Sequence, residues 1–427
     1  MKAHQKMLLG ISVGAVAGLV ANAAFGSADW LVWTVEHVTN PVGQIFIRLL
    51  LMLVVPLLFS ALVIGVAELD LKQVGRLGAR TLGYTVVFSV ISVLIGLLLV
   101  NSLRPGDGLS DEARALARTG TQIKAAPPPG DTSAGAIFMS MVPTNPIKAA
   151  ADGDMIGLIV FSLIFGLGLA LTVGEPARRL KDVVQGLYDV MMRLIDGVLK
   201  LAPVGVGALL FSMTARLGFH ILAQLASYVG VVLLALSIHM FVVYSLSVRF
   251  LGGRNPVEFF RSCRLAIVTA FSTASSSATL PTALKVAEEN LKLPRNVSRF
   301  VLTAGSAMNQ NGTALFEGVT VLFLAQVYGV PLGLGQQATI MFICVLAGIG
   351  TAGVPAGSIP VIAMILGMFH IPVEGLGLIL GVDRFLDMCR TVLNVTGDLA
   401  AAVYVSRGEP PDRPVGEEAA ESTAGLT

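Results

Sequence analysis

Asp383, Asp387, Arg390, Thr391, Asn394 and Asp398 stand at relative positions 0, 4, 7, 8, 11 and 15 of one apolar stretch. At about 100° per residue they gather on one side of a helix, with Arg384 at its flank. Their neighbours are Phe385, Leu386, Met388, Val392, Leu393 and Val395. Burying three acids and an arginine costs on the order of several kcal/mol apiece unless they are paired or meet ligands. A guanidinium offers a planar fork matched to a carboxylate, so Arg390 suits an acidic substrate group. Asp387, one turn away, suits an ammonium. Asp398 supplies the hard oxygen that an alkali cation takes. The competing reading is an internal Asp387–Arg390 pair that stitches helices together, which leaves Asp398 unexplained.

Two tracts of small residues lie upstream. One is Ser275-Ser276-Ser277-Ala278-Thr279-Leu280-Pro281, and the other runs from Gly350 to Ser358 through Gly353-Val354-Pro355. Each suits the turn of a helical hairpin at membrane depth. Each precedes an Asn-x-x-Gly pattern, Asn309-Gln310-Asn311-Gly312-Thr313 and Asn394-Val395-Thr396-Gly397-Asp398, read here as polar breaks in two spans. A hairpin plus a broken helix, occurring twice and entering from opposite sides, is an inverted repeat. Non-helical backbone at that depth is tolerated only where protein buries it or it lines a cavity. There it turns carbonyls toward cations and helix N-termini toward anions. Small residues also serve close helix packing, the alternative for one such tract alone. An anion at Arg390, an ammonium at Asp387 and a second carboxylate at the serine tips together describe aspartate or glutamate.

The elements that must hold these groups are membrane helices. The chain has 427 residues, of which 54% are hydrophobic and 13% charged, with a mean hydropathy of +0.79. Soluble domains carry about 25% charge, so a soluble enzyme is excluded. An outer-membrane barrel, with its alternating strands, is disfavoured. A net charge of +2 shows no nucleic-acid footprint, and three scattered cysteines make neither a disulfide framework nor a metal motif. Full spans are expected near 7–25, 42–68, 80–103, 154–174, 189–214, 221–249, 297–327 and 375–405. Lys and Arg alternate between loops as the positive-inside rule requires only if 257–290 and 333–371 each enter and leave on one side. The expected fold is thus an all-α polytopic membrane protein with eight transmembrane helices, two re-entrant helical hairpins and both termini cytoplasmic. Residues 107–136 form an external loop and 408–427 a solvated tail.

These residues resemble the glutamate/aspartate and dicarboxylate–cation symporter family. The likeness spans nearly the whole chain, including Met52–Leu57, Pro143-Thr144-Asn145-Pro146 and Leu201–Gly205, and is strongest in Ser275–Pro281, Gly350–Pro355 and Asp387–Asp398. It implies a homotrimer in a bacterial inner membrane, working as an elevator with the second hairpin as extracellular gate. A scaffold of 1–76 and 137–216 would hold a mobile transport domain of 77–106 and 217–407. Carried over by position, Ser276, Thr313, Val354, Asp387, Arg390, Thr391 and Asn394 would contact substrate. Gly305, Asn309, Asn394 and Asp398 would hold one sodium ion, and carbonyls near Gly348, Ile349 and Thr351 a second. Sodium is then the coupling ion, with no other cofactor. Both acids, Asp387 and Asp398, favour an amino acid and sodium over the proton-coupled dicarboxylate branch.

Three departures from the family pattern stand out. Asn311 replaces a carboxylate of a third sodium site, and Phe88 aligns with a threonine of that site. An arginine found near the binding site in many relatives is missing, since Ala274 and Met388 occupy its places. Among lesser residues, His37 and His239 read as packing or interfacial groups, with proton relay the alternative. Trp30 and Trp33 read as interface anchors, and Glu317 as a candidate proton carrier one turn past Thr313. A dicarboxylate carrier and an ion channel are the rival functions; no nucleophile–base pair or metalloprotease motif supports an enzyme.

Overall fold

The computed structural model describes residues 3–26, 28–67, 76–108, 142–152, 155–350 and 358–409. Regular structure among them is entirely helical. In chain order the helices of six or more residues are α1 (Ala3–Phe25), α2 (Asp29–Thr34), α3 (Asn40–Leu51), α4 (Val54–Ala67), α5 (Arg76–Leu103), α6 (Pro146–Asp152), α7 (Met155–Leu171), α8 (Glu175–Leu199), α9 (Ala202–Leu217) and α10 (His220–Ile238). They continue with α11 (Pro256–Thr273), α12 (Ser276–Lys285), α13 (Arg295–Met308), α14 (Asn311–Val327), α15 (Leu334–Gly350), α16 (Ser358–Met368) and α17 (Leu376–Val405). By length and composition, Asp29–Ala67, Arg76–Leu103 and His220–Leu251 are each able to cross a membrane among the described residues. Leu9–Phe25, Gly157–Leu171, Leu334–Ile349 and Ser358–Met368 are shorter apolar helices. The expected external loop falls mainly in 109–141, and most of the tail in 410–427; both stretches lie outside the described residues.

The expected fifth span, 189–214, is two helices instead. Amphipathic α8 ends at Leu199, and α9 starts anew at Ala202-Pro203. Proline suits a first helical turn but cannot continue the one before it. Helix α9 then packs along α1 through glycines spaced four apart. A Cβ on Gly14 would lie 2.2 Å from the Gly207 carbonyl oxygen, and one on Gly10 the same distance from that of Pro203. Such backbone approach is how small residues hold helices together where lipid removes the hydrophobic drive. Gly14→Leu is therefore expected to separate α1 from α9 and lower the thermal midpoint of the purified protein. An unchanged midpoint would contradict this packing.

Helix α14 lies at the centre. Every residue from Asn311 to Val327 except Gln326 is buried, as a helix apolar all round must be. Helices α5, α10, α15, α16 and α17 pack against it. Helices α11 and α12 cover the stretch of the first expected hairpin and pack on each other. Asn255 caps α11 by accepting from the Val257 amide at 2.9 Å, and Ala274 ends it in the left-handed region at φ 48°. Ser275 then caps α12 by accepting from the Ala278 amide. Helices α15 and α16 bracket the second tip. Its residues 351–357, including Thr351 and Val354, lie outside the described residues.

One of the two expected breaks is present. Asn309 (φ −100°, ψ 63°) and Gln310 (φ −99°, ψ 53°) leave the helical region and separate α13 from α14. The other is absent: α17 runs unbroken for 30 residues through Asn394-Val395-Thr396-Gly397-Asp398. Asn394 meets its polar partners on α14 and in the break before it, so its own backbone has no need to open.

Candidate substrate and cation site

The break at Asn309-Gln310 and the polar face of α17 meet in the interior. Asn394 joins them. Its Oδ1 accepts from the Gly312 amide at 2.8 Å, and its Nδ2 donates to Gln310 Oε1 at 2.5 Å and Thr313 Oγ1 at 3.2 Å. Asp398 lies farther along α17, where Asn309 Nδ2 donates to its Oδ1 at 2.9 Å. Gly305 makes room for that carboxylate: a Cβ there would stand 2.5 Å from Asp398 Oδ1. Asn309 Oδ1 is buried without a hydrogen-bond partner. An orphaned amide oxygen beside a carboxylate and an interrupted helix is a hard-oxygen donor set, and it fits a sodium ion. Gly348 of α15 adjoins the same break, its Cβ direction pointing 3.5 Å from the Gln310 carbonyl oxygen. The backbone carbonyl oxygen of Ile349 faces Gly65 of α4.

Arg390 sits one turn before Asn394 and is 1% exposed. Its guanidinium lies over the Phe316 ring, 3.8 Å from the centroid. Two of its nitrogens donate to acids of its own helix, Nη1 to Asp383 Oδ1 at 3.0 Å and Nη2 to Asp387 Oδ1 at 2.8 Å. The internal pair weighed from the sequence is therefore present, widened to include Asp383. It does not satisfy the guanidinium, because Nε is buried with no partner. Thr391 Oγ1 donates to the Asp387 carbonyl at 2.9 Å. Ser276 opens α12 and is buried, and α12 packs on α17.

The structure thus gathers Gly305, Asn309, Thr313, Gly348, Asp387, Arg390, Thr391, Asn394 and Asp398 around one junction. Gln310 and Phe316 belong to it as well. Gln310 had a signal in the sequence, its place inside the break. Phe316 had none, since an aromatic in an apolar helix is ordinary core.

Asn311 sits in a neutral hydrogen-bond network. Ser89 Oγ donates to its Oδ1 at 2.6 Å, and its Nδ2 donates to Tyr244 Oη at 3.0 Å. Phe88 is buried and stacks on Tyr84, with centroids 4.0 Å apart. His239 is buried edge-on to Tyr244, whereas exposed His37 stacks on Trp33. No cluster of three or more His, Cys, Asp or Glu able to hold a metal occurs among the described residues.

A family model described as "Sodium:dicarboxylate symporter family" matches residues 4–408. The chain belongs to this family. It is 34% identical over 404 residues to a "Proton/sodium-glutamate symport protein" of Geobacillus stearothermophilus, covering 93% of each chain. It is 34% identical over 407 residues to a "Proton/glutamate-aspartate symporter" of Escherichia coli, covering 95% of this chain and 92% of that one. A "C4-dicarboxylate transport protein" of Rhodospirillum rubrum is 31% identical over 414 residues, covering 96% and 89%. The symporter family therefore includes relatives of both substrate classes at comparable distance from this chain.

Proposed function

We propose that the protein is a secondary active symporter that imports acidic amino acids, aspartate or glutamate, coupled to sodium. The observation that carries this reading is the unpartnered, buried Arg390 Nε beside the acids of α17, a short way along the helix from the orphaned Asn309 Oδ1 at Asp398. An acidic substrate at Arg390, with its ammonium at Asp387, lies along the same helix as a cation at Asn309, Asn394 and Asp398. Each offsets the charge that the other brings into the interior. Ser276, Thr313, Thr391 and the second tip around Val354 complete the substrate shell, and Gly348, Ile349 and Thr351 a second sodium site.

In this reading the chain has eight spans and two re-entrant hairpins in a bacterial inner membrane, with both termini cytoplasmic. Residues 77–106 and 217–407 form the transport domain. It slides as an elevator against a trimeric scaffold built from 1–76 and 137–216. Uptake of L-aspartate into proteoliposomes, with sodium and proton gradients imposed separately, tests the coupling. Accumulation driven by inward sodium is expected; uptake indifferent to both gradients would favour a channel.

Glu317 favours an additional proton. It is 0% exposed, and neither carboxylate oxygen has a hydrogen-bond partner. An unpaired carboxylate in the interior costs on the order of several kcal/mol as an anion, and a bound proton removes that cost. Glu317→Gln is expected to reduce uptake driven by a proton gradient alone about tenfold and leave the sodium-driven component standing. Equal loss of both components would assign Glu317 to packing.

A further inference from the structure

We infer that Arg384 is a specificity-determining residue that lets this site accept C4-dicarboxylates, which lack an amino group, alongside acidic amino acids. The inference rests on the substrate reading above and deepens it. The two oxygens of Asp387 face different guanidinium groups. Arg390 Nη2 donates to Oδ1 at 2.8 Å, and Arg384 Nη1 lies 3.7 Å from Oδ2. The two arginines differ in freedom: the Arg390 side chain is 1% exposed, and that of Arg384 is 44% exposed. Arg390 is fixed between Asp383, Asp387 and the Phe316 ring. Arg384 makes a loose ion pair at the open edge of the cluster and is free to leave it.

This arrangement answers a charge problem. An amino-acid substrate brings an ammonium for Asp387; a dicarboxylate brings none and adds negative charge beside it. Asp387 is then a poorly compensated anion facing another anion, which a closed, water-poor site penalises heavily. Arg384 supplies the missing countercharge on Oδ2 from one turn before Asp387. With aspartate bound, the substrate ammonium takes that oxygen and the loose Arg384 pair is given up at little cost, because exposed ion pairs contribute little. Arg384 therefore supports binding of the two substrate classes unequally. It is a positioning residue acting through Asp387.

Isothermal titration of the purified full-length protein in sodium, with L-aspartate and with succinate, tests the inference. The wild type is expected to bind both. In Arg384→Gln, succinate affinity is expected to fall about tenfold more than aspartate affinity, and Arg384→Lys is expected to restore the ratio, because the charge and not the packing carries the effect. A wild type that binds aspartate and no succinate, or a ratio unmoved in R384Q, overturns the role of Arg384. Succinate binding that weakens in R384Q, with aspartate not bound at all, supports that role and overturns the amino-acid reading. Binding of neither ligand overturns both.

Discussion

Arg390→Ala is expected to lower L-aspartate affinity by at least about 100-fold, since the proposed charge-assisted contact to the substrate carboxylate in a buried site is lost. The substitution also removes the partner of two buried acids. Asp383 and Asp387 each accept one hydrogen bond from that guanidinium. Breaking a buried ion pair costs about 3–5 kcal/mol through the uncompensated charge left behind. A fall in thermal midpoint is therefore expected together with the loss of affinity, so the two effects need separating. Arg390→Lys keeps the charge but loses the fork and its stacking on Phe316. It should recover much of the stability and little of the affinity. Equal recovery of both would show that Arg390 is a structural cation and not a substrate ligand.

Asp398→Asn is expected to raise the sodium concentration for half-maximal aspartate uptake by at least about tenfold, because the one carboxylate of the proposed cation site becomes a neutral amide. Unlike Arg390, Asp398 has no cationic partner among the described residues whose loss would confound the result. Its recorded partner is Asn309 Nδ2, and the close approach of Gly305 leaves room for the isosteric amide. The variant should fold. Its remaining uptake should then respond weakly to sodium, while binding of aspartate at saturating sodium is little changed. A normal sodium dependence would place the cation elsewhere.

Much of this site was legible in the chain because charge is scarce within its spans. Helical periodicity put Asp383, Asp387, Arg390, Asn394 and Asp398 on one face, and the structure holds them there. The Asn-x-x-Gly pattern was a less faithful guide. A polar side chain in an apolar span is satisfied either by opening its own backbone or by reaching across to another helix, and the pattern is the same in both cases. At Asn309-Gln310 the backbone opens. At Asn394 the amide crosses to Gly312, Gln310 and Thr313, and α17 stays whole. The carbonyls expected beside Asp398 thus come from one break and not two. The division of 189–214 was signalled by Pro203, but apolar length outweighed it. Phe316 beneath Arg390 carried no signal, since a cation–ring contact depends on which helices meet.

The central claim is that substrate and sodium share α17, so that each strengthens the other's binding. Linkage makes this reciprocal. The most direct test is the affinity of the purified protein for L-aspartate when sodium replaces potassium at constant ionic strength. A gain of at least about tenfold, 1.4 kcal/mol of coupling, is expected. The same affinity in both salts, with aspartate bound, would contradict a shared substrate and sodium site at the junction of α14 and α17.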